Sequence, residues 1–211
     1  MKKSKSIQLI ALVMVVMLAL VACSKNGGQP AGNDSEGEKT YTIGINKLMD
    51  HVAIDDAQKG VEDGLKELGI NANIVVQSAQ GEPANAMTIS EKFLKDKVDL
   101  VYAIATPSAQ ASKQVVKDIP VLFSAVTDPV KAEIVADWDD VGGNVTGTSD
   151  KADVESQLKM FKEIDPTIET IGIVYNTSEE NSKIQIDEVN QYAPAEGLKV
   201  EVSGVNNVND L

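Results

Sequence analysis

The chain has 211 residues, with 32 Asp or Glu against 19 Lys or Arg, a formal net charge of -13 at pH 7, one Cys and one His. With 43% apolar residues it can bury a core, which excludes global disorder, collagen-like repeats and a small disulfide framework. The acidic excess argues against nucleic acid as a partner, because phosphate binding needs a basic face that releases counterions.

The chain opens with Met1, Lys2, Lys3 and Lys5, then an apolar run from Ile7 to Ala22 broken only by Gln8. A charged segment before an apolar one is the pattern of an export leader, and the run is short of the roughly 20 residues of a permanent span. Leu20-Val21-Ala22-Cys23 resembles the bacterial lipobox, in which a lipid joins the cysteine thiol and cleavage leaves that cysteine at the new N-terminus. The resemblance implies a signal peptide at 1–22 and a lipidated Cys23; an uncleaved signal anchor is the alternative. Lipidation also accounts for an odd cysteine in an exported chain. Residues 24–39 are rich in Gly, Ser and Asn without apolar periodicity, and read with Cys23 as a flexible tether, 23–39.

From Tyr41 the pattern becomes regular. A β-type run, Tyr41 to Ile45, precedes Ile54, Ala57, Val61, Leu65 and Leu68 at helical spacing, stopped by Gly69. Asn73 to Gln77 reads as strand and Pro83 to Lys97 as helix, with Ala86, Ile89, Phe93 and Leu94 inward. Asp99 to Ala105 reads as strand, Pro107 to Lys117 as helix and Val121 to Ala125 as strand. This alternation implies right-handed βαβ units and a parallel sheet, hence an α/β fold. A long connection, Thr127 to Asp150, contains a short amphipathic piece at Ile134 and Val135 and the β-rich Asn144 to Thr148, and marks a boundary. The rhythm then restarts: helix Ala152 to Ile164, strand Thr170 to Tyr175, helix Glu179 to Tyr192, strand Leu198 to Val202, and the start of a helix at Asn206 to Asp210. The expected lobes are 40–150 and a partial second one, 151–211. Two strands make a marginal sheet, so the expectation is a chain cut short of a full second lobe.

In open parallel sheets, ligands bind beyond the carboxyl ends of the strands, where helix N-termini present free N–H groups. Thr106-Pro107-Ser108 reads as such a junction, with Thr106 as N-cap and Pro107 in the first helical position. Similar grammar occurs at Ser124 with Thr127-Asp128-Pro129, and at Asn176-Thr177-Ser178-Glu179. Three such junctions can hold a zwitterion: N–H groups and hydroxyls take a carboxylate, and Asp128 or Asp150 an ammonium. Each is equally readable as a plain helix cap. His51 lies at the same edge as a ligand contact or a cap, and Tyr175 ends its strand as a stacking ring or as packing.

Sharper chemistry fails. Gly142-Gly143-Asn144-Val145-Thr146-Gly147 lacks the third glycine of a dinucleotide fingerprint, and there is no P-loop, CxxC, HExxH or GxSxG. One histidine cannot build a His-rich zinc site, and Asp137, Asp139 and Asp140 lack EF-hand spacing. No metal or cofactor is expected. A hydrolase built from Ser108, His51 and Asp128 stays open as an alternative, although no nucleophile elbow is present.

Four ordered motifs carry a family resemblance: Ala105 to Gln110, Phe123 to Val130, Gly142 to Asp150, and Gly172 to Ser182. Together they resemble the ABC-transporter substrate-binding lipoproteins related to tryptophan- and tyrosine-binding proteins, over about Thr40 to the end. The resemblance implies a periplasmic-binding-protein type I fold, two Rossmann-like lobes closing on ligand by hinge motion, and no catalysis. It implies ligand contacts from His51, Thr106, Ser108, Ser124, Thr127 and Asp128 in the first lobe, Asp150 at the crossover, and Tyr175, Asn176, Glu179 and Asn181 in the second. One departure is Val52, where relatives often carry proline after the histidine. The implied protein is an exported receptor, lipid-anchored at the outer face of the bacterial cytoplasmic membrane or in the periplasm. It hands a small amino acid, aromatic as first candidate, to an ABC permease and its ATPase. The alternatives are the same fold binding a sugar or purine derivative, and a surface adhesin or hydrolase.

Overall fold

The computed structural model describes residues 39–206. The expected signal peptide, Cys23 and nearly all of the tether lie outside the described residues, as does most of the helix expected from Asn206.

The first sheet holds five strands, β1 Tyr41–Lys47, β2 Ala72–Ser78, β3 Leu100–Ile104, β4 Val121–Val126 and β5 Val145–Ser149, all parallel in the order β2-β1-β3-β4-β5. Helix α1 (Val52–Glu67) links β1 to β2, α2 (Pro83–Lys95) links β2 to β3, and α3 (Thr106–Val115) links β3 to β4. The chain steps outward from β1 to β2 and then back across β1 to β3. Right-handed crossovers therefore put α1 on one face and α2 with α3 on the other. Accordingly Ile54, Ala57, Val61 and Leu65 of α1 lie over Ile43, Ile45 and Ile104. On the opposite face Ala86, Ile89 and Phe93 of α2 and Ala109 and Ala111 of α3 pack over Val101, Ala103 and Phe123. Phe93 is fully buried above Gly44, where a Cβ would stand 2.7 Å from the ring. The glycine lets the aromatic ring rest directly on the strand.

Two local expectations are corrected. Ala105, not Thr106, is the N-cap of α3, which places Thr106 first and Pro107 second in the helix. After β4, Thr127-Asp128-Pro129 opens a run of turns rather than a helix: the Ala132 N–H donates to the Asp128 carbonyl (2.9 Å) and the Lys131 N–H to Asp128 Oδ1 (2.9 Å). Pro129 sits where a helix could begin, but Ala132, Ile134 and Val135 are drawn into the core and the segment stays irregular. Asn144 then ties the return to β5, donating to the Val116 and Ile119 carbonyls (3.2 and 2.6 Å).

Beyond β5 the chain forms α4 (Val154–Ile164), β6 (Thr170–Asn176), α5 (Glu180–Tyr192), a short 3-10 turn (Ala193–Glu196) and β7 (Lys199–Val205). Strands β6 and β7 pair in parallel as a separate two-stranded sheet. Asp153 caps α4, accepting from the Ser156 N–H (3.0 Å) and hydroxyl (2.7 Å). Val154, Leu158, Ala193 and Leu198 form its small core, while Ile184 of α5 joins the large core of the first sheet. Among the described residues no helix is long and apolar enough to cross a membrane.

The motif glycine Gly147 has a steric reason. A Cβ there would stand 2.2 Å from the Phe123 carbonyl oxygen and 2.6 Å from its ring, whereas a Cβ at Gly143 meets nothing within 4 Å. Overpacking against backbone costs about 1–3 kcal/mol. Gly147→Ala is expected to lose about that much in chemical denaturation, and Gly143→Ala to stay within about 0.5 kcal/mol of the unaltered chain.

Candidate functional site

The strand order 2-1-3-4-5 has its switch point between β1 and β3, where the connections leave in opposite directions and open a crevice at the carboxyl edge. Two strained residues shape that edge. Ala105, just after β3, has φ +81°, and Ala125 near the end of β4 has φ +52°, both uncommon for residues with a Cβ. Between β4 and β5, Phe123 pairs with Gly147 but Val126 pairs with Ser149, so one extra residue bulges out at Ser124-Ala125. Bulges re-aim side chains next to functional sites. The Ala105 N–H donates to the Ser124 carbonyl (3.0 Å), locking the two strained ends together.

The side-chain oxygens of Thr106, Ser108 and Ser124 are all buried there without a hydrogen-bond partner. Thr106 is 2% exposed and Ser108 0%. Buried hydroxyls are ordinarily paired, so three unpaired ones on adjacent junctions are exceptions to that rule. The first turn of α3 adds N–H groups that have no partner within the helix, and its cap residue supplies no side-chain bond. Sequence reasoning missed Asn46. It is fully buried, its amide nitrogen donates to the Ala86 carbonyl (2.8 Å) and Ser90 Oγ (3.0 Å), and its Oδ1 has no partner. Because the Ala86 carbonyl can only accept, the amide orientation is settled. The available signal was an asparagine following the apolar Ile43-Gly44-Ile45 run.

Other expected residues make local hydrogen bonds. His51 is exposed and caps α1, its Nδ1 accepting from the Ala53 N–H (3.3 Å). Lys47 beside it bonds Asp50 (2.8 Å) and Asp55 (2.7 Å), and those bonds, Asp50 first, raise its pKa. Thr127 is buried, and its carbonyl accepts from Ser149 Oγ (2.9 Å). Asp150 is exposed, with its N–H on the Val126 carbonyl (3.2 Å).

Asp128 is buried, with Lys151 Nζ at 3.3 Å and Lys131 Nζ at 4.0 Å from its Oδ2. Both lysines also meet Glu188 Oε1 on α5, at 3.1 and 2.9 Å. Sequence reasoning did not single out Glu188, because a glutamate on a helix ordinarily faces water. Burial pushes its pKa up, but the bonds to Lys131 and Lys151 outweigh that and hold it below the ordinary glutamate value. The Glu188 bond raises Lys151 against the pull of burial, and Asp128 adds to it.

In the second lobe Tyr175, Asn176 and Glu179 do come together, lining a cavity of about 380 Å³ with Val154, Gln157 and Ser182. Asn176 Nδ2 donates to Glu179 Oε1 (3.0 Å), and the Ser178 N–H and hydroxyl donate to Asn176 Oδ1 (3.0 and 2.8 Å). Asn181 Oδ1, at the start of α5, is buried without a partner. Among the described residues no cluster of three His, Cys, Asp or Glu could hold a metal ion.

A doubly wound parallel sheet thus carries unpaired polar atoms at its carboxyl edge and is followed by a second, two-stranded α/β unit. Residues 42–211 match the family model described as ABC transporter substrate binding protein, and the chain belongs to that family. It is 39% identical over 217 residues to a tyrosine-binding protein of Clostridioides difficile, covering 100% of this chain and 63% of that protein. An ABC domain from Streptococcus pneumoniae solved in complex with L-Trp is 39% identical, with TM-score 0.76 over 79% of this chain and 58% of that one. The ligand-free, open structure of a substrate-binding protein with adhesive properties from Clostridium difficile is 42% identical, with TM-score 0.61 over 80% and 59%. The chain thus spans about 60% of the length of these relatives. The fold is the periplasmic-binding-protein type I arrangement.

The cluster gives a pH signature. Glu188 has a depressed folded pKa, so its stabilisation is present above its ordinary value and lost as pH falls through the folded one; Lys151, raised, contributes below its ordinary value and loses that as pH rises through the folded one. Glu188→Gln is expected to lower unfolding stability by about 1 kcal/mol near neutrality. The gap between variant and unaltered chain should shrink toward zero below about pH 4 in urea titrations. A gap that does not change with pH would show that Glu188 acts through packing alone.

Proposed function

We propose that the chain is the solute receptor of an ABC importer, holding a free amino acid, aromatic as first choice, in the cleft between its lobes. The observation that carries this reading is the set of buried, unpartnered hydroxyls of Thr106, Ser108 and Ser124 beside the N-terminus of α3. Hydroxyl and N–H donors suit a ligand carboxylate. The Asp128 carboxylate suits an ammonium, with Thr127 and Asp150 beside it and His51 at the rim. From the second lobe, Tyr175 offers a ring face and Asn176 and Glu179 polar contacts along the cavity wall, and the unpaired Asn181 Oδ1 offers another acceptor. The relatives that bear the names of tyrosine and L-Trp support the aromatic choice. A ligand touching both lobes favours the closed state by its differential affinity, and this is the signal a permease and its ATPase read. No step of bond making is required, so the reading is of a receptor and not an enzyme. Lipidation at Cys23 after removal of 1–22 places it at the outer face of the membrane.

The test is a thermal-shift and calorimetric screen of the chain against the twenty amino acids, sugars and nucleosides. Ligand at about a hundredfold over its dissociation constant adds roughly 2.7 kcal/mol. The expected response is confined to Trp, Tyr or Phe, and Thr106→Ala and Ser108→Ala each weaken it about tenfold or more, the worth of a hydrogen bond to a charged group. A response only to sugars or nucleosides replaces the substrate. Silence throughout, with ligand-independent attachment to cells, favours an adhesive role.

A further inference from the structure

Between β1, α2 and α3 runs a line of buried polar side chains. Asn46 of β1, Ser90 of α2 and Ser112 of α3 are each 0% exposed. Asn46 Nδ2 donates to the Ala86 carbonyl (2.8 Å) and to Ser90 Oγ (3.0 Å), and Ser90 Oγ stands 3.1 Å from Ser112 Oγ. Ser90 Oγ is also 3.0 Å from the Ala86 carbonyl, one turn back in its own helix. Its single proton serves one of two acceptors. When it goes to the carbonyl, Ser112 donates to Ser90; when it goes to Ser112, the carbonyl keeps its bond from Asn46. Either way the line joins strand to helix to helix without a break.

Ser112 lies four residues after Ser108 and so shares its face of α3, one turn further along. The residues that α3 buries are Thr106, Pro107, Ser108, Ala109, Ala111 and Ser112, all of them small. Apolar burial is non-directional, and contact between methyl groups sets no fixed register; a hydrogen bond between buried hydroxyls fixes both distance and angle. The start of α3 needs such a hold. Ala105, at φ +81°, gives it no side-chain cap, and a backbone strained in this way persists only when its surroundings over-determine it. Gln110 Nε2 ties α3 to the turns after β4 through the Ala132 carbonyl (3.0 Å), and Ser112 ties it to α2.

We propose that Asn46, Ser90 and Ser112 are positioning residues: their hydrogen-bonded line sets the place of α3 against β1 and α2, and thereby holds the Ser108 hydroxyl where the ligand meets it. The consequence for ligand rests on the receptor reading, whereas the placement of α3 does not. Asn46 is the anchor, because it sits on the strand that is paired on both sides. Apolar residues of the same shape would stabilise this interface about as well. What the polar ones add is direction.

The experiment compares the unaltered 211-residue chain with Ser112→Ala, Ser90→Ala and the two combined. In Ser112→Ala, Ser90 keeps its bonds to Asn46 and Ala86, so the variant is expected to melt within about 4 °C of the unaltered chain. The first readout is amide hydrogen exchange at Ala109, whose N–H closes the first turn of α3 on the Ala105 carbonyl (3.0 Å). Relative to the amides of α1, which the line does not touch, exchange there is expected to quicken about tenfold in Ser112→Ala. A merely structural loss quickens both alike. The second readout is calorimetric affinity for L-tryptophan, L-tyrosine and L-phenylalanine. Ser112→Ala is expected to weaken the tightest about fivefold, but to cost less than about twofold once Ser108→Ala is present, because both act through one hydroxyl. The combined variant should bind no more weakly than Ser90→Ala alone, which breaks the same line from α2 and serves if Ser112→Ala does not fold. Exchange at Ala109 that keeps pace with α1, unchanged affinity, or a loss that persists in full beside Ser108→Ala overturns the inference and leaves the receptor reading intact. Quickened exchange at Ala109, with none of the three amino acids bound by the unaltered chain, upholds the placement of α3 and overturns the receptor reading instead.

Discussion

The structure depends on β1 pairing with two neighbours at once. Tyr41 to Lys47 runs in register with Ala72 to Ser78 on one side, and Ile43 to Lys47 with Leu100 to Ile104 on the other. Because consecutive crossovers then travel in opposite directions, α1 and α2 are forced to opposite faces and the carboxyl edge splits between them. Everything polar at the candidate site lies along that edge: the capped start of α1, the strained turn into α3, and the bulge at the end of β4. Strain at Ala105 and Ala125 persists because the sheet below and the cores on both faces leave those backbones no alternative.

Charge supplies the second constraint. In a chain with a net of -13, buried carboxylates need specific partners, since unpaired ones shift their pKa or destabilise the fold. Asp128 and Glu188 solve this jointly through Lys131 and Lys151, and in doing so tie the end of β4, the exit from β5 and α5 into one group. Ile184 reinforces the same contact with apolar packing. Helix α5 thus reaches the first sheet through an apolar residue, Ile184, and an ionic one, Glu188.

Most elements were legible because their periods are strong. The spacing of Ile54, Ala57, Val61 and Leu65, and of Ala86, Ile89 and Phe93, can only be buried by a helix on a sheet, and both helices occur where that pattern runs. The junction into α3 was legible to within one residue. Thr106 moved from cap to first helical position because Ala105 adopts a positive φ that no alanine advertises. Thr127-Asp128-Pro129 carries the residues of a helix start, yet the segment that follows gains more by burying Ala132, Ile134 and Val135 than by closing helical turns. The helix-start grammar was local, whereas the decision was made by the core.

The sequence by itself determined the α/β rhythm and the hydroxyl-bearing junction at Thr106 and Ser108, because periodicity and turn chemistry are properties of neighbouring residues. Tertiary structure alone decided which polar groups are satisfied. His51 spends its Nδ1 on a helix cap, and Asn46 keeps an unpaired oxygen deep under α2. Asp128 shares its lysines with Glu188, sixty positions along the chain. Hydrogen-bond satisfaction and charge pairing are sums over everything within a few ångströms, and only the folded chain brings those residues together.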